Sequence, residues 1–139
     1  MLTALAARWL PGAAAPSRRE VDEFLHVARL SFVRLQAAWD AADWPALAAL
    51  TTETLAAELR DQLEARGPGP NRTEVLSLDA RLLAIEELQE AFVASVEFSG
   101  LIRERVDERA APFRELWMLA KLKAAAGRGW RLARVQALA

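Results

Sequence analysis

A chain of 139 residues with 53% hydrophobic and 27% charged side chains has the composition of one globular domain rather than a disordered segment. A formal net charge of −1 excludes a general electrostatic hold on nucleic acid. With no cysteine, no tyrosine and one histidine, His26, disulfides, thiolate chemistry and most triad or zinc schemes fall away, so neither a metal nor a cofactor is expected.

The chain opens on "MLTALAARWLPG", an apolar stretch interrupted by Arg8. It lacks the basic start of a secretion signal, and no apolar run approaches the roughly 20 residues of a membrane span. The segment reads as a short amphipathic helix, a remnant of a longer parent, or added sequence. "PGAAAP" at 11–16 reads as a linker, which leaves residues 17–139 as the domain.

Ser17 and Glu20 form a capping box that opens a helix over about residues 17–42. Phe24, Ala28, Phe32, Leu35 and Trp39 share about one third of its circumference. His26 falls on the polar side. Leu30 and Val33 stand among charges there and suggest a second contact, with the N-terminal segment or a partner. Asp43 caps a short helix, "WPALAAL", with Pro45 where a missing N–H costs little. Thr51 or Thr52 caps a third helix with Leu55, Leu59 and Leu63 as its stripe, and Gly67 ends it.

From Thr73 the hydrophobic period changes from 3.6 to 2. Four strands follow: "EVLSLDARLLAIEEL", "EAFVASVEFSGLIRE", "PFRELWMLAKLK" and "GWRLARVQAL". Loops at 87–90, 104–111 and 123–129 have antiparallel-hairpin lengths. Helices followed by strands predict an α+β domain, with a long helix laid on a curved antiparallel sheet. Phe98, Trp117 and Trp130 project from strands toward that helix. They are core if they fill the interlayer space, and pocket walls if the sheet curls away.

For catalysis, Glu97 alternates with Val96 and Phe98 and belongs to the solvated face. Glu115 shares a face with Phe113 and Trp117, and an ion pair with Arg103, Arg114 or Arg134 is its expected role. "NRT" at 71–73 matches a glycosylation sequon but reads as loop and strand start.

The order of "FLHVARLSFVRLQAAWDAADWPAL", "NRTEVLSLDARLL", "VASVEFSGLIRE", "PFRELWMLAK" and "GWRLARVQ" resembles the Tim-forty-four-like domain, the C-terminal domain of the mitochondrial inner-membrane import-motor scaffold, in its bacterial branch. The resemblance runs over residues 20–137. It implies a cone-shaped α+β fold similar to the nuclear-transport-factor-two-like superfamily, with helices on a strongly curved four-stranded antiparallel sheet. It also implies a non-catalytic domain with a large apolar pocket, linked to membrane lipid and to partner proteins of translocation. Arg114 stands where the family pattern often has an acidic residue, and Arg134 where it often has glycine.

The leading expectation is a binding or scaffold domain associated with a bacterial inner membrane if an upstream anchor exists, and otherwise soluble and cytoplasmic. It would take an apolar small molecule, a lipid acyl chain or a protein partner between helix and sheet, at Phe32, Leu35, Trp39, Phe98, Trp117 and Trp130. One alternative is a cofactor-free isomerase or dehydratase using Glu115 with Arg134. Another is a homo-oligomer formed through the sheet face or Leu30 and Val33. No nucleic-acid partner is expected.

Overall fold

The computed structural model describes residues 8–9, 16–67, 71–105, 107–124 and 129–138. Its elements are β1 (Arg8–Trp9), α1 (Arg18–Asp40), α2 (Trp44–Leu50), α3 (Glu53–Arg66), β2 (Glu74–Glu87), β3 (Ala91–Arg103), β4 (Ala111–Leu122) and β5 (Arg131–Ala137). Most of the expected linker lies outside the described residues. No helix among them is long and apolar enough to cross a membrane.

Each helix begins where a short polar side chain can satisfy its free N–H groups. At α1, Glu20 N–H donates to Ser17 Oγ at 3.1 Å and Ser17 N–H donates to Glu20 Oε1 at 3.3 Å, the expected capping box. Asp43 Oδ1 accepts from Ala46 N–H at 3.1 Å at the start of α2. Thr52, rather than Thr51, caps α3 by accepting from Leu55 N–H. Each cap contributes about 1 kcal/mol.

The end of α1 is a tight reversal. Ala42 N–H donates to Trp39 O at 3.1 Å and Asp43 N–H donates to Ala38 O at 2.9 Å. This pair of bonds is the Schellman motif, which requires a left-handed residue just past the cap. Ala42 holds that place with φ 51°. A Cβ there costs roughly 1 kcal/mol that glycine avoids. Asp43 is thus the last partner of α1 and the N-cap of α2, and the two helices are joined without slack.

Thr51 is wholly buried, and its hydroxyl donates to Leu47 O at 2.7 Å. Beside it, Thr52 N–H donates to Leu132 O at 2.9 Å, tying the α2–α3 junction to β5. Gly67, at φ 80°, closes α3 with its N–H on Leu63 O.

Strands β2 to β5 form the expected antiparallel meander. An addition not foreseen is β1, which joins the outer edge of β2 in parallel, with Arg8 opposite Ala84 and Trp9 opposite Ile85. Register shifts at Val75/Ser77, Leu82/Ala84 and Met118/Leu119 add residues to one strand without partners on the next. Such bulges increase twist, and here they accompany a sheet that curls around α1 without closing.

The register decides what α1 meets. Ala80, Phe98 and Glu115 lie side by side, then Leu82, Val96 and Trp117, then Ile85, Ala94, Leu119 and Leu132. Phe32 enters this face fully buried. Its ring centroid lies 4.9 Å from Phe98, 4.9 Å from Trp117 and 5.5 Å from Phe113. Burying each such side chain contributes about 2–3 kcal/mol, and each aromatic pair about 1 kcal/mol more. On the other side of α1, Leu30 and Val33 are 40% and 48% exposed.

Gly100 explains the glycine of "FSGLIRE". It sits at φ 155° opposite the β2 bulge, where an added Cβ would overlap the Ser77 carbonyl oxygen. Ser77 Oγ also accepts from Leu101 N–H at 3.0 Å, which holds the two backbones together.

Two stability changes of opposite sign follow from these backbones. Urea unfolding of Ala42→Gly is expected to show a gain of about 0.5–1 kcal/mol with the m-value unchanged. Gly100→Ala is expected to lose about 3 kcal/mol or more, because the blocking atom is backbone on a paired strand.

Candidate binding cleft

The sheet curls away from the C-terminal half of α1 and leaves an open cleft of about 730 Å³ between α1, α3 and the β4–β5 end of the sheet. Leu35 and Trp39 come from α1, Leu55 and Leu59 from α3, and Trp117 and Leu132 form the floor. Gln36, Glu58, Gln62, Glu104 and Glu115 supply polar groups around them. The volume lies within the range of small-molecule sites.

Of the residues expected between helix and sheet, Leu35, Trp39 and Trp117 line this cleft. Phe32 and Phe98 lie deeper, fully buried in the aromatic cluster that closes the inner end. Trp130 is at the opposite end of α1. Its ring meets Phe24 edge-on at 5.1 Å, and Lys121 Nζ lies 6.0 Å from its centroid. The curl separates the six residues: at the α1 C-terminus the layers part, and at Phe32 they touch.

Trp39 is held on two sides. The Arg66 guanidinium lies over its ring at 5.0 Å, and Arg66 Nη1 donates to its backbone carbonyl at 2.7 Å. That carbonyl belongs to the last turn of α1, so the Arg66 charge also meets the negative end of the helix dipole. The next residue, Asp40, grips the start of β2. It accepts from Asn71 Nδ2 at 2.9 Å, from Thr73 Oγ1 at 2.8 Å and from Thr73 N–H. Asn71 and Thr73 of the "NRT" stretch thus have their polar groups engaged in a structural clamp. Trp44 is treated like Trp39: Arg60, also from α3, lies over its ring at 5.2 Å. No local signal marks either arginine, because each contact joins residues far apart in the chain. A side pocket of about 270 Å³, lined by Arg66, Asn71, Thr73 and Arg105, adjoins the cleft at Gln36 and Trp39.

The expected pairing of Glu115 with an arginine is corrected. No cation lies within ion-pair distance of it among the described residues. Instead Trp117 Nε1–H donates to Glu115 Oε1 at 3.0 Å, two residues along the same face. Arg134 is paired with Met118 beside the β4–β5 bulge and borders the cleft without bonding Glu115, and Arg114 is paired with Ser99. Arg103 is engaged with Glu74 at 3.5 Å. The one base-and-donor pair the sequence offered for isomerase chemistry thus borders the cleft with both members, but no ion pair or hydrogen bond among the described residues joins them. Glu97 does face outward, but its side chain is only 15% exposed, beside Arg81 at 3.5 Å. His26 is exposed on α1. Among the described residues no cluster of His, Asp and Glu could hold a metal ion.

What remains is a concave surface with apolar walls and a rim of carboxylates and amides. It is suited to enclosing an apolar group while the rest of its bearer stays in water.

Among solved structures, the chain is similar to the intermembrane space region of the chloroplast protein ARC6. Identity is 12%, with a TM-score of 0.53 over 82% of this chain and 95% of that one. It also resembles a nuclear transport factor 2 (NTF2-like) superfamily protein from Salmonella enterica serovar Typhimurium LT2, at 15% identity and a TM-score of 0.48, over 88% and 92% of the two chains. Likeness at such identities speaks to fold alone. No curated protein matches the sequence. The family model of the Tim44-like domain matches residues 13–137, nearly the whole chain and every element from α1 to β5. Domains of this kind are, at a coarse level, scaffold and binding modules that meet proteins or membranes. The chain belongs to the Tim44-like domain family.

Proposed function

We propose that the domain is a non-catalytic scaffold of a bacterial inner membrane that takes an apolar group, an acyl chain or an apolar side chain of a partner protein, into the cleft between α1, α3 and the sheet. The cleft itself carries this reading. It is about 730 Å³ in volume, has Leu35, Trp39, Leu59 and Trp117 on its walls, and opens to solvent beside polar side chains. Family membership supports the scaffold part, and the bacterial inner membrane rests on the motif resemblance alone.

Arg66 and Asp40 suit the cleft to this task. Fixing Trp39 from its carbonyl and its ring, and fixing the end of α1 to β2, leaves one wall with little to reorganise on binding. Less ordering on binding leaves more of the hydrophobic gain as affinity.

Titration with dodecyl maltoside below its critical micelle concentration is the direct check, read from the indole N–H resonances of Trp39 and Trp117. Saturable shifts at these two, with little change at Trp130, are expected. Leu59→Trp, which adds bulk at the cleft wall, should weaken binding at least tenfold while the melting temperature moves by no more than about 4 °C. Shifts spread over the surface, or equal binding by Leu59→Trp, would refute occupation of the cleft.

A further inference from the structure

The cleft and the side pocket beside it differ in charge. Glu58, Glu104 and Glu115 border the cleft against one arginine, Arg134. The side pocket has two arginines, Arg66 and Arg105, against one carboxylate, Glu104. Gln36, Trp39 and Glu104 line both cavities, so Trp39 stands between an apolar space and a cationic one.

Neither arginine is well neutralised within the fold. Arg66 makes one hydrogen bond among the described residues, from Nη1 to Trp39 O, and its Nε is buried without an acceptor. No carboxylate lies within ion-pair distance of it, and every Asp and Glu of the sequence is among those residues. The nearby carboxylate of Asp40 is taken up by Asn71 and Thr73. Arg105 is largely exposed and loosely paired, 3.8 Å from Glu108. Stacked on the Trp39 indole and held at one nitrogen, the Arg66 guanidinium has its plane fixed. A fixed planar fork matches a carboxylate.

We infer that the two cavities take one molecule, a long-chain fatty acid. Its carboxylate enters the side pocket with Arg66 and Arg105, and its chain passes Trp39 into the cleft. This rests on occupation of the cleft by an apolar group. Two arginines and one glutamate match a single negative charge better than the two of a phosphate monoester. The glutamates of the cleft rim disfavour the head at the other end.

Calorimetric titration at low ionic strength, where exposed charges are least screened, tests it. Four ligands share a twelve-carbon chain: laurate, dodecyl phosphate, dodecyl maltoside and dodecyltrimethylammonium, each below its critical micelle concentration. Laurate is expected to bind at least tenfold more tightly than the ammonium ligand. Arg105→Glu should weaken laurate at least tenfold and leave the maltoside within about twofold, because its side chain is exposed and supports no other contact of the cleft. Arg66→Gln should do the same to laurate, with the melting temperature reporting that the variant is folded. Equal binding of laurate and the ammonium ligand, or laurate binding unmoved by Arg105→Glu, would overturn the inference while leaving the cleft occupied. Tighter binding of dodecyl phosphate than laurate would overturn the carboxylate assignment. Binding of none of the four would overturn this inference and the cleft reading together.

Discussion

The contact on which the structure turns is Phe32 against the curled sheet. One helix side chain meets Phe98, Phe113 and Trp117, contributed by two neighbouring strands. A flat sheet would offer such a residue a plane and bury one side of it. The bulged and curled sheet offers a bowl, so Phe32 is enclosed completely. The same curvature that closes around Phe32 carries the sheet away from α1 at its far end. Core and cleft are thus two results of one geometric fact, and their positions along α1 are set by where the layers touch.

The second constraint is the way α1 ends. Within a few residues the chain caps a helix, reverses, starts another helix and presents two tryptophans to α3. Ala42 accepts a left-handed backbone, Asp43 serves both neighbouring helices, and Asp40 binds the start of β2. Arg60 and Arg66 reach back from α3 to Trp44 and Trp39. The two tryptophans thus do different work in similar surroundings. Trp39 is a wall of the cleft, and Trp44 fixes the short helix beneath α3.

Local rules made much of this legible before any coordinates. The caps at Ser17, Asp43 and Thr52 depend on residues three positions apart, a separation that sequence displays directly. Strand alternation placed Phe98 and Trp117 on one face, and the family resemblance supplied the cone. Long-range pairing was not legible. Asp40 meets Thr73 and Arg66 meets Trp39 only because the fold brings them together. The Glu115 reading failed for a related reason: its partner is set by which donor the fold brings within reach, and that is the indole N–H of Trp117 rather than a neighbouring-strand arginine. The bulges and the two-residue β1 left no compositional trace.

The bond from Thr52 to Leu132 has a consequence for the order of events on the ribosome. The helices are synthesised first, yet their junction is fastened to a strand that is made about eighty residues later. Until β3, β4 and β5 emerge, Phe32 lacks the three rings that enclose it, and the nascent chain carries a partly exposed apolar helical face. Long-range closure of this kind slows folding. Conditions that keep that apolar face from other chains until the last strands are made are therefore expected to raise the yield of folded domain.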